Sequence, residues 1–127
     1  MKLINYLIIQ IIPFLPKIFV RLVTSPYIAG ITDDEMLTNV KKLNDKGYDV
    51  AIDILGEHVT TKEEATEITK RYANLYDRIA LQDLNANLSI KLTHIGQDLG
   101  YDLVEHNLMT LVSAAKKHNN FLRLDME

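Results

Sequence analysis

A chain of 127 residues has room for one domain with a modest core, and 47% hydrophobic residues exclude a disordered chain. With 14 basic against 17 acidic residues the net charge is −3, and no Lys/Arg cluster stands out, so nothing electrostatic points to nucleic acid. The absence of cysteine excludes disulfides, thiolate metal sites and a cysteine nucleophile, and it fits a cytosolic protein.

Residues 3–16 carry no charge. They fall short of the roughly 20 apolar residues a membrane span needs, and Pro13 and Pro16 interrupt any helix. Lys17 and Arg21 follow, and no small-residue cleavage site lies close behind, which argues against export. A packed or amphipathic helix, a membrane-surface contact and a signal or anchor all remain open. Residues 24–30 read as a loop. Thr32 and Glu35 then frame a capping box, in which hydroxyl and carboxylate satisfy free helix amides reciprocally. Met36, Leu37, Val40 and Leu43 follow helical spacing, and Lys46-Gly47 ends the helix. Residues 1–47 are thus expected to form an amino-terminal helical segment, and residues 48–127 a separate α/β part.

Three short apolar runs, residues 50–56, 88–94 and 121–127, alternate as strands do. Between the first two, Thr61 and Glu64 frame a second capping box. Ala65, Ile68, Tyr72, Leu75 and Ile79 then mark one helical stripe. Between the last two, Leu103, Val104, Leu108, Leu111, Val112 and Ala115 mark another, over about residues 103–118. Strand, helix, strand, helix, strand implies parallel pairing, because parallel neighbours need a long crossover. Repeats of this kind build (β/α)8 barrels and doubly wound sheets.

Parallel strands are usually apolar on both faces, and these are not. The aliphatic sets 50/52/54, 88/90/92 and 122/124/126 suit a helix-covered face. The alternate positions then place Asp53, Lys91, Arg123 and Asp125 together on the other face, inside the lumen if the sheet is a barrel. Buried charge is costly unless paired, and two acids with two bases could largely neutralise one another. Three readings stand: an internal ion-pair network, charges at the exposed edge of an open sheet, and a polar ligand site in which Lys91 receives an anionic group such as a carboxylate. Lys91 and Asp125 lie toward the carboxyl ends of their strands, where barrel enzymes place their chemistry. Glu57 sits in the exit loop of the first strand, as a solvated acid or a gate. His58 and His94, in loops after strand ends, are further candidates for ligand contact, whereas His106 and His118 read as plain helix residues. No phosphate loop and no H-E-x-x-H pattern is present, and zinc is not expected.

Tyr27-Ile-Ala-Gly30, Asp53-Ile-Leu-Gly-Glu-His-Val59, Leu88-Ser-Ile-Lys-Leu-Thr93, the Gly96-x-Asp-Leu segment and Arg123-Leu-Asp-Met-Glu127 occur in this order and at this spacing. Together they resemble the bacterial monofunctional proline dehydrogenases, over roughly residues 17–127. The resemblance implies an α/β fold of (β/α)8 TIM-barrel type, here with only the amino-terminal helices, the first three strands and two crossover helices. It implies FAD in the lumen and oxidation of L-proline to Δ1-pyrroline-5-carboxylate, the first step of proline degradation to glutamate. Electrons would pass to a membrane quinone, which in turn implies a cytoplasmic protein in peripheral contact with the inner face of the membrane. By the same resemblance Lys91 helps bind the substrate carboxylate, and Asp125 is the catalytic-site acid that organises lysine and substrate. Met126 contacts FAD, through its backbone since strict alternation sends its side chain to the helix face. Glu57 pairs with a carboxyl-terminal arginine and helps close the site. The chain stops at the third strand, so it is expected to be an amino-terminal portion that alone neither binds FAD tightly nor oxidises proline. The contrasting expectation is a non-catalytic half-barrel that binds a partner or a membrane surface through residues 3–23.

Overall fold

The computed structural model describes residues 28–56 and 58–126. The apolar run 3–16, most of the loop 24–30 and Glu57 lie outside the described residues. The chain divides into two compact units, residues 1–39 and 40–127, and the boundary falls within the first described helix, α1 (Asp33–Asn44).

In the first unit the predicted capping box is present. The Glu35 amide donates to Thr32 Oγ1 at 3.2 Å, and the Ile31 amide donates to the Glu35 carboxylate at 3.0 Å. The acids Asp33, Asp34 and Glu35 fill the first turn and Lys41 and Lys42 the last, each sign facing the favourable end of the helix dipole. Gly47, at φ 85°, takes the left-handed conformation that lets the chain leave α1.

The second unit is a parallel sheet of three strands in sequence order: β1 (Val50–Asp53), β2 (Ala86–Lys91) and β3 (Leu122–Asp125). Helices α2 (Lys62–Leu81) and α3 (Tyr101–Lys117) make the two crossovers. Asn44 and Asn85 pin the amino ends. Asn44 Nδ2 donates to the Asn85 carbonyl at 3.0 Å, the Asn85 amide donates back to Asn44 Oδ1 at 2.9 Å, and the Val50 amide donates to the Asn85 carbonyl.

The core lies between the helices and one face of the sheet. It comprises Ile52, Leu88 and Ile90 from the strands, Ala65, Tyr72, Leu75, Tyr76 and Ile79 from α2, and Val104, Leu111 and Ala115 from α3. On β1 and β2 this follows the predicted aliphatic alternation, whereas on the edge strand β3 Leu122 is only half-buried and Leu124 is 43% exposed. On the helices the buried stripe is wider than predicted. Thr69 and Tyr76 join it on α2, where Ile68 is only half-buried, and Asn107 joins it on α3, where Val112 is exposed. Tyr76 keeps its hydroxyl satisfied by donating to the Phe121 carbonyl at 3.0 Å, and burial pushes its pKa up to about 12.

Thr61 caps α2: its hydroxyl accepts from the Glu64 amide at 3.1 Å, while the Thr60 amide donates to the Glu64 carboxylate at 2.8 Å. The Thr60 amide first, and the Thr60 hydroxyl second, hold the Glu64 carboxyl below the usual carboxylate range. Thr61→Ala is expected to lower stability by about 1 kcal/mol in urea unfolding, without a change of slope.

At the far end of the helix pair, Asp77 accepts from Lys117 Nζ at 2.8 Å and from His118 Nε2 at 2.5 Å, tying α2 to the end of α3. The lysine, then the histidine, lower the Asp77 pKa below its ordinary 3.8. A carboxyl depressed on folding stabilises the folded state above its unfolded pKa, and that contribution disappears as pH falls through the folded value. The stability gap between wild type and Asp77→Asn should therefore be full at neutral pH and close below about pH 4 in acid titrations of unfolding.

Candidate functional site

The side of the sheet away from the helices carries the charged residues. Register sets them in two rows. Asp53 pairs with Ser89 and Ser89 with Arg123, while one step toward the carboxyl ends Lys91 pairs with Asp125. Adjacent strands lie about 4.8 Å apart, so Lys91 and Asp125 are immediate neighbours at one height, whereas Asp53 and Arg123 are separated by the width of β2. The expected gathering of the four charges on one face is present, with Lys91 and Asp125 as the adjacent pair. Lys91 is half-buried on the central strand, and Asp53, Arg123 and Asp125 are exposed. Small side chains, Ala51 and Ser89, occupy the rest of this face together with Asn87, whose Oδ1 is buried without a hydrogen-bond partner among the described residues.

The strands are shorter than the apolar runs. β1 ends at Asp53, so Leu55 falls in the exit loop and is 91% exposed instead of continuing the lumen set. β2 ends at Lys91, and residues 92–94 turn into a 3-10 helix, Leu92–Ile95, instead of extending the strand. β3 ends at Asp125, which leaves Met126 beyond the strand and 87% exposed instead of held on the helix face. The common cause is that the carboxyl ends open into loops, where the backbone stops pairing and alternation no longer fixes a side.

His94 and His58 behave differently from one another. His94 is buried, and its Nδ1 lies 3.2 Å from the Tyr72 hydroxyl, with the two rings edge to face at 5.8 Å. Burial first, and the Asp53 carboxylate second, raise the Tyr72 pKa far above its ordinary value, so this phenol stays neutral. The other edge of the imidazole faces the chain leaving β1. A Cβ at Gly56 would stand 2.6 Å from His94 Nε2, so only glycine fits there. His94 is therefore a packing residue that joins α2 to the exit of β1. His58, by contrast, is exposed and reaches Asp98 in the segment after β2, Nδ1 to Oδ2 at 2.9 Å. His106 is an exposed residue of α3, and His118 holds the helix pair through Asp77.

Tyr72 was legible as a core residue, but its partner was not, because the contact depends on the 3-10 turn after Lys91. Asp98 gave a sequence signal only as part of the Gly96-x-Asp-Leu segment.

The structure is an α/β segment, a three-strand parallel sheet with two crossover helices and charged side chains at the carboxyl ends of neighbouring strands. Comparison with known proteins agrees. The family model described as proline dehydrogenase matches residues 36–127, and the chain belongs to this family. It is 36% identical over 107 residues to proline dehydrogenase 1 of Bacillus subtilis strain 168, covering 84% of this chain and 35% of that protein. Proline dehydrogenase 2 of Bacillus subtilis subsp. natto is 34% identical over the same length and coverage. The proline dehydrogenase of Deinococcus radiodurans is 28% identical over 104 residues, 80% of this chain and 34% of that protein. The chain thus spans about a third of the length of the curated relatives it matches.

Proposed function

We propose that the chain is the amino-terminal portion of a flavin-dependent enzyme that oxidises L-proline to Δ1-pyrroline-5-carboxylate and delivers the electrons to a quinone. The observation that carries this reading is the register of Lys91 with Asp125 at the carboxyl ends of adjacent parallel strands, in a chain of the proline dehydrogenase family. The ammonium of Lys91 receives the proline carboxylate. At 4 Å and an effective dielectric of 20 such a pair is worth about 4 kcal/mol, less the desolvation of both ions. Asp125, beside it, orients the ammonium and offers an acceptor to the substrate.

The residues present suit one wall of a flavin site. Ala51 and Ser89 leave space, and the orphaned Asn87 Oδ1 calls for a donor from whatever covers that face. Met126, past the end of β3, contributes to that wall, and Glu57 helps close it. FAD, when bound, supplies the two-electron acceptor, and the chain's own residues supply orientation and charge complementarity. Among the described residues no helix is long and apolar enough to cross a membrane. Contact with a quinone is proposed as peripheral.

The test is a chimera in which residues of this chain replace the matching segment of Bacillus subtilis proline dehydrogenase 1. A yellow flavoprotein that reduces a dye with L-proline supports the reading. A chimera that folds and holds flavin but leaves L-proline untouched sinks it.

A further inference from the structure

We propose that His58 and Asp98 are a positioning pair that clasps the loop after β1 to the loop after β2, and so fixes the rim of the sheet on which Lys91 stands. The two loops differ in how they are held. After β2, the 3-10 turns Leu92–Ile95 and Gln97–Leu99 form a firm platform. His94 and Ile95 are buried, and Asn107 Nδ2 donates to the Ile95 carbonyl at 2.9 Å from inside the core. Gly96, at φ 101°, turns the chain where a Cβ would stand 2.9 Å from Leu103 Cδ2 and 3.2 Å from the Ala65 methyl.

The loop after β1 has no secondary structure among its described residues. Among its described residues Gly56 meets the platform at the His94 ring and His58 at Asp98, before Val59 is buried and Thr60 joins the cap of α2. His58 also takes φ 50°, a conformation that residues with a Cβ rarely hold unless their surroundings fix it.

The histidine and aspartate side chains are 67% and 52% exposed. At that exposure, removing either opens no cavity. The clasp therefore acts on the order of the loop, and only weakly on global stability. Because one loop leaves Asp53 and the other leaves Lys91, the clasp ties together the carboxyl ends of the two strands that carry these charges.

The experiment is amide hydrogen exchange on the 127-residue chain, with His58→Ala, Asp98→Ala, the double variant and the exchanged pair His58→Asp with Asp98→His. Each single variant should speed exchange in residues 54–60 by about threefold to fivefold, with the interior of α2 unchanged. The double variant should be no worse than either single, and the exchanged pair should recover protection. In the chimera, His58→Ala should raise KM for L-proline by about threefold with kcat unchanged, and the exchanged pair should reverse this. Additive effects, unchanged exchange in the loop, or loss of protection throughout α2 would overturn the clasp. The ligand readout rests on the proposed function, whereas the exchange readout does not. A chimera inert toward L-proline together with a non-additive exchange cycle would therefore remove the former reading and leave the clasp standing.

Discussion

Lys91→Ala, placed in the chimera, should lower kcat/KM for L-proline by about 100-fold, most of it in KM. The proposed pair between ammonium and carboxylate would be worth about 4 kcal/mol before desolvation, and a remainder of about 2–3 kcal/mol after it corresponds to roughly two powers of ten. Lys91 stands on the central strand and is half-buried, so screening by water is weaker there than at Asp53, Arg123 or Asp125. Asp125→Ala should cost less, about 10-fold, because it leaves the lysine charge in place but loosens its orientation. Steady-state kinetics against L-proline concentration measure both. A Lys91→Ala form with wild-type KM would exclude the lysine as the carboxylate receptor.

Gly56→Ala carries the second large effect, and it is one of packing. The new methyl would lie 2.6 Å from His94 Nε2 and 2.8 Å from Cε1. The ring has little freedom to yield, because it is buried and its Nδ1 is engaged by Tyr72. Overpacking of this kind costs roughly 1–3 kcal/mol. His94→Ala removes the obstruction but leaves a cavity and an unpaired Tyr72 hydroxyl, so it destabilises alone. The combination with Gly56→Ala should then be less damaging than the sum of the two. Urea unfolding of the four proteins closes the cycle, and strict additivity would show that the ring and Gly56 do not meet.

Much of the fold could be read because aliphatic alternation is strong. Alternation assigns Ile52, Leu88 and Ile90 to the covered face, and they are buried there. Parallel pairing follows from the length of the two crossovers, and the starts of α1 and α2 from side-chain caps, whereas α3 begins after Gly100 with no side-chain cap. What could not be read is where each strand stops. Leu92 continues the alternation of β2 on paper, yet Gly96 bends the chain and the core takes in His94 and Ile95, so pairing ends at Lys91. Asn107 shows the same limit. A polar residue on the buried stripe of α3 makes sense only once the Ile95 carbonyl is known to point at it. For the site, alternation alone put Asp53, Lys91, Arg123 and Asp125 on one face. Their places toward the carboxyl ends of successive strands already set Lys91 and Asp125 at a similar depth, and the register pairs them directly.

Lys91 is proposed to receive the substrate carboxylate. Pyrrolidine is L-proline without that group, so the ratio of kcat/KM for L-proline to kcat/KM for pyrrolidine isolates the interaction. In the chimera the ratio should be large, and Lys91→Ala should reduce it by about 100-fold while leaving turnover of pyrrolidine nearly unchanged. A ratio that Lys91→Ala leaves intact would contradict the account.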